Sequence, residues 1–150
     1  MSEHKNVQKK SHELPIKKGD LISELHGKFV STTIRDVLPD GIKLEINSQG
    51  QVTGKYAAGH METTTILQKM DGSADWESKA MEVTPQGDVV VVTGKGHGSA
   101  SDPGSIKWDG EIKYMTMPPR LSWLNGKKVW AEGSGNQATG EVQIKAYEMI

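Results

Sequence analysis

His60, Glu62 and Thr64 stand two residues apart in the run His60-Met61-Glu62-Thr63-Thr64. On a β-strand that spacing puts an imidazole, a carboxylate and a hydroxyl in one row on one face. Two chemistries use such a row. A neutral imidazole and a carboxylate ligate a metal ion, with His97 as a third ligand from elsewhere in the chain. Alternatively, His60 and Glu62 act as an acid–base pair in an apolar cavity, where burial raises a carboxyl pKa. A row that faces water does neither, and the motif alone does not choose between the faces.

A second group of side chains suits binding. Trp108 and Tyr114 share one parity with Ile106 and Ile112, while Lys107, Asp109, Glu111 and Lys113 take the other. Together with Tyr56 and Trp76 they can form the aromatic wall of a pocket for a flat or hydrophobic ligand. The same rings also serve to fill a core. Arg35 lies within an expected strand. Inside a cavity it would clamp a ligand carboxylate with both nitrogens, and outside it is an ordinary surface charge. Between Thr93 and Gly104, four glycines (Gly94, Gly96, Gly98 and Gly104) suggest a mobile flap over a barrel mouth. The Lys-Ser/Thr ending of a phosphate-binding loop is missing there, as are the hydrolase elbow, the zinc-protease helix and the dinucleotide fingerprint.

The elements that must carry these residues are strands. Strict alternation over Ser105–Met117 is repeated at Ile42-x-Leu44-x-Ile46 and Val142-x-Ile144-x-Ala146. Gly110 interrupts the apolar parity, as a bulge, a bend or a close ligand requires. Val89–Val92 is apolar on both parities, which predicts a strand covered on both faces. Turn signals at Pro39-Asp40-Gly41, Asn47-Ser48-Gln49-Gly50, Asp71-Gly72, Pro85-Gln86-Gly87 and Asn125-Gly126 divide the chain into about nine strands. Short sequential connections make these strands antiparallel neighbours, and so large a sheet curls. The expected fold is all-β: a closed or nearly closed antiparallel up-and-down barrel of eight to nine strands, with a two-sheet sandwich as the alternative. Residues 1–19 read as a flexible polar arm and residues 20–150 as one barrel domain. Asp20–Leu25 suits either a short helix that plugs one barrel end or a first edge strand.

Composition narrows the function classes. At 150 residues with no cysteine, the chain offers no disulfide framework, thiolate metal site or thiol nucleophile. A formal charge of −1 opposes nucleic acid or anionic membrane as a partner held by electrostatics. No apolar run is long enough to span a bilayer, and a cytoplasmic location is expected. Met115 and Met117 fall on the charged parity of their strand, which marks an apolar surface patch suited to homo-oligomer contact.

Three stretches carry a resemblance when taken together. They are Asn47–Tyr56, with its Gly54-Lys55-Tyr56 ending; the strands about Thr84-Pro85-Gln86-Gly87; and Leu121–Gly126, followed by Glu132-Gly133-Ser134-Gly135 and the last strand Gly140–Tyr147. In this order they resemble the small calycin-like barrels related to allene oxide cyclase, including uncharacterised bacterial relatives, over roughly residues 27–148. The resemblance implies an eight-stranded barrel with an apolar cavity, often oligomeric, that isomerises, cyclises or binds hydrophobic small molecules. It carries over no catalytic residue to a position here. Three functions are therefore expected in turn: binding of a hydrophobic or aromatic small molecule; an isomerase or cyclase using His60 and Glu62; or a structural, oligomer-forming barrel with a filled interior. None calls for a cofactor or a resident metal.

Overall fold

Alternation along the chain becomes eight strands in one closed sheet. The computed structural model describes residues 16–102 and 104–150, with backbone alone at residues 101 and 102. The strands are β1 (Lys18–Leu38), β2 (Gly41–Gly54), β3 (Ala58–Lys69), β4 (Ser73–Val83), β5 (Val89–Asp102), β6 (Ser105–Thr116), β7 (Val129–Asn136) and β8 (Glu141–Met149). Each pairs antiparallel with the next, and β1 closes the barrel on β8. Of the arm expected over residues 1–19, residues 1–15 lie outside the described part, and β1 already begins at Lys18. Asp20–Leu25 is strand, not helix; it pairs with β8, and from Ser23 onward with β2 as well, so it is not an edge strand. No helix among the described residues is long and apolar enough to cross a membrane.

Two glycine-rich stretches differ from the sequence reading, for one reason. Asn47–Gly50 is no turn but the middle of a single long β2, which is why eight strands replace nine. Thr93–Asp102 is no flap but the second half of β5, paired to both neighbours. Their glycines include positions where the neighbouring backbone comes too close for a Cβ. Gly27 faces Gly50 across β1 and β2, and Gly96 faces Gly110 across β5 and β6. A Cβ at Gly96 would lie 2.0 Å from the Asp109 carbonyl oxygen, and one at Gly110 would lie 2.2 Å from that of Lys95. Closing a barrel requires such close approaches, and only glycine leaves room for the neighbouring backbone there. Gly110 thus marks a close approach of backbone and of the Trp76 ring, with no bulge in the β5–β6 register there.

One barrel end is closed by a short 3-10 helix, Pro119–Leu124, which buries Leu121 and Leu124. Asn125 leaves this helix rather than turning a hairpin, and its side chain bonds both the N–H and the carbonyl of Thr116. Arg120 pairs with Asp88 and ties the helix to the start of β5. Above this plug lies a core that includes Ile22, Val52, Val90, Tyr114 and Val129. Val90 and Val92 join it, whereas Val89 is 45% exposed, so β5 is covered on one face only. On the outer face Met61, Met81, Val91 and Met115 pair side by side across β3 to β6. Met117, just beyond β6, is almost fully exposed.

This close approach predicts an asymmetric response to one added methyl group. Gly96→Ala and Gly110→Ala should each lose roughly 3 kcal/mol or more of stability. Gly59→Ala, whose nearest neighbour would be the Gln51 side chain at 4.0 Å, should stay within about 1 kcal/mol of the parent. Urea denaturation of the three variants checks this, and equal losses would contradict it.

Candidate functional site

His60 and Glu62 point into the barrel. They share the interior face of β3 with Ala58 and Thr64, and β4 presents its own interior row beside them as Trp76, Ser78, Ala80 and Glu82. Sheet register sets Glu82 directly opposite His60. The result is one connected line of polar groups. Glu82 Oε2 lies 2.7 Å from His60 Nδ1, and Glu62 Oε1 lies 2.9 Å from His60 Nε2. Thr64 Oγ1 donates to Glu62 Oε2 at 2.9 Å. At the other end the Tyr56 hydroxyl donates to Glu82 Oε1. Tyr114 meets Tyr56 edge-on at 6.4 Å between ring centres, and its hydroxyl lies 3.4 Å from Ser23 Oγ.

Two carboxylates on the two ring nitrogens decide the state of His60. A neutral imidazole has one N–H, so its bare nitrogen would face a carboxylate lone pair; the imidazolium donates to both. Burial alone pulls the ring's pKa down. The hydrogen bonds and charges of Glu62 and Glu82 outweigh that pull and raise it to about 9. Burial, with Tyr114 and Glu82 beside it, holds the Tyr56 hydroxyl well above its ordinary range, so Tyr56 remains a donor. Burial likewise pushes Tyr114 up to about 12.

The line runs from dry to wet. The Glu82 side chain is 4% exposed and that of Glu62 is 15%. Farther from the helical plug, the interior-facing Ile46, Thr64, Ile66, Ile112 and Ile144 are only half-buried. Exposure of the interior-facing side chains thus rises toward the end opposite the plug, and Glu62 is the more exposed of the two carboxylates. Glycines seat the large rings of the wall. Trp76 lies against Gly110 and donates its Nε1 hydrogen to the His97 carbonyl at 3.2 Å. The half-buried Trp108 lies over Gly133, where an added Cβ would come within 2.2 Å of the indole.

Of the residues singled out from the sequence, His60, Glu62, Tyr56, Tyr114, Trp76 and Trp108 all face the interior, with Tyr56 and Tyr114 beside the acid–base line. Arg35 lies apart from them. It pairs with Glu45 at 2.6 Å, on the part of the β1–β2 hairpin that runs beyond the last β8 partner of β1. His97 is on the outer face, 2.7 Å from Asp75, so it cannot join His60 and Glu62 around one ion. Among the described residues, no group of three or more His, Cys, Asp or Glu side chains is placed to hold a metal. Glu82 was missed. Its place on the parity of Trp76 was a readable signal, but its position opposite His60 depends on register. A groove of about 560 Å³ on the rim, with His26, Lys28, Ser134 and Gln143 among its walls, includes none of the acid–base line.

No protein-family model matches the sequence, and no curated protein matches it. Solved structures match in shape. A conserved protein of unknown function from Rhodopseudomonas palustris superposes with a TM-score of 0.78 at 14% identity, over 92% of this chain and 100% of its own. A protein of unknown function from Clostridium acetobutylicum gives 0.77 at 12%, over 87% and 98%. An enzyme from Penicillium herquei gives 0.67 at 15%, over 92% and 98%. At these identities the likeness is one of barrel fold.

A raised His60 pKa makes stability fall with rising pH. The contribution is fully present below the unfolded value of about 6.5 and is lost as pH climbs through about 9. Its size is on the order of 3 kcal/mol. Urea unfolding at pH 6.5 and 9.5 should show this loss in the parent protein and not in His60→Gln. Parallel pH profiles for the two proteins would contradict it.

Proposed function

We propose that the barrel is an acid–base enzyme of the isomerase or cyclase class, acting on a hydrophobic, aromatic small molecule held in the open half of its interior. The observation that carries this reading is the hydrogen-bonded line Tyr56–Glu82–His60–Glu62–Thr64, whose more accessible carboxylate, Glu62, is 15% exposed on the same interior face as Trp76. Perturbed, mutually bonded titratable groups in a concave apolar site are the usual mark of proton-transfer chemistry. The resemblance to barrels related to allene oxide cyclase points the same way. So does the enzyme from Penicillium herquei, a barrel of similar shape.

Each residue has a role in this scheme. Glu62 removes a proton from an acidic C–H or O–H of the substrate. The freed electron pair moves onto a conjugated carbonyl, or attacks an unsaturated carbon of the same molecule and closes a ring. Glu62 then returns the proton to a different atom, so the product is an isomer and no redox partner is consumed. The His60 imidazolium bonds one Glu62 oxygen and offers fixed positive charge close to the developing anion. Glu82 fixes the orientation of His60, and Tyr56 and Thr64 fix the outer carboxylate oxygens. Trp76 and Trp108 bind the substrate ring.

Deuterium uptake tests the scheme without knowledge of the natural substrate. A neutral aryl ketone such as 2-tetralone, incubated with the protein in D₂O, should exchange its α-hydrogens above the buffer rate, as read by mass spectrometry. Glu62→Gln should lower that exchange at least ~100-fold while ligand quenching of tryptophan fluorescence persists. Bound ketone with equal exchange in both proteins would leave a binding protein without base catalysis.

A further inference from the structure

We infer that the open interior selects uncharged ligands and turns away carboxylates and phosphates of the same skeleton. The inference rests on the cavity proposed above and deepens it, because it names the ligand class. Three side chains of the acid–base line carry formal charge, −1 for Glu62, −1 for Glu82 and +1 for His60, which sum to −1. The single cation is already shared between both carboxylates.

No other cation compensates. Among the described residues, no Lys or Arg takes an interior-facing position in the open half. Lys43 pairs with outward-facing neighbours on β1 and β3, and Lys79, Lys95, Lys107 and Lys113 hold the same outer parity across β4 to β6. Arg35 is held by Glu45 on the hairpin. An anionic ligand entering the interior would give up its hydration, meet no bidentate or ammonium partner, and sit beside Glu62 in a low-dielectric surrounding. A neutral hydroxyl or carbonyl compound gives up far less, and a hydroxyl can donate to Glu62. Selection here is by repulsion rather than by added contact.

Titration calorimetry with naphthalen-2-ylmethanol and 2-naphthoate at pH 7.5 tests this, since the two share a ring system and differ in charge. The alcohol should bind at least ~30-fold more tightly. Glu62→Gln should narrow the gap by about tenfold or more, chiefly by strengthening the carboxylate. In the parent protein, naphthoate should bind more tightly as pH falls, with proton uptake, while the alcohol shows neither effect. That second measurement keeps the test decisive if the variant folds poorly. Equal affinity for the two ligands, or a gap that Glu62→Gln leaves unchanged, would overturn the inference while leaving the cavity in place. Binding of neither ligand by the folded protein would overturn both.

Discussion

An imidazolium clamped between two carboxylates inside a β-barrel is the constraint around which the interior is arranged. Burying three ionised groups costs far more than burying hydrocarbon unless each is bonded to the others. Here each bond has its partner: Glu82 on one ring nitrogen of His60, Glu62 on the other, with Tyr56 and Thr64 on the remaining carboxylate oxygens. Losing His60 would strand two carboxylates in the barrel without a cation between them. The arrangement also demands that β3 and β4 keep their register, because a slip of one residue would turn Glu82 outward.

Curvature serves the same end. The Gly27–Gly50 and Gly96–Gly110 pairs let neighbouring strands approach more closely than any side chain would allow, as closing a barrel around the polar line requires. Glycines on the wall also make seats for rings, with Trp76 against Gly110 and Trp108 against Gly133. One end is sealed by Leu121 and Leu124 of the 3-10 helix; at the other, interior-facing side chains remain half-buried. A dry floor carrying charge and a wetter aromatic half above it follow from these placements together.

Much of the barrel was legible because period-two alternation is a local signal. Ser105–Met117 reads as β6 almost residue for residue, and the Pro85-Gln86-Gly87 turn stands where its composition places it, with Gly87 at φ 87°. Glycine was the ambiguous letter. In Asn47–Gly50 and Thr93–Gly104 it suggested chain reversal or mobility, whereas the fold uses it for close approach inside long strands. The plug was misplaced because Leu121 and Leu124 belong to a single helical turn, too short to show a period. Of the site, the His60–Glu62 row was visible but its face was not, since a two-residue motif reads alike on either side of a sheet. Glu82 was invisible as a partner of His60: it lies 22 residues away, and only hairpin register brings the two together.

The charge state of His60 is the most direct test of this account. Nitrogen-15 NMR of the histidine-labelled protein, followed from pH 6 to pH 10, should show both His60 ring nitrogens protonated at pH 7.5, with one proton lost near pH 9. Glu62→Gln should move that midpoint down. A ring that is already neutral at pH 7.5 would mean that the two carboxylates do not hold an imidazolium, and would contradict the reading of the barrel interior as a poised acid–base site.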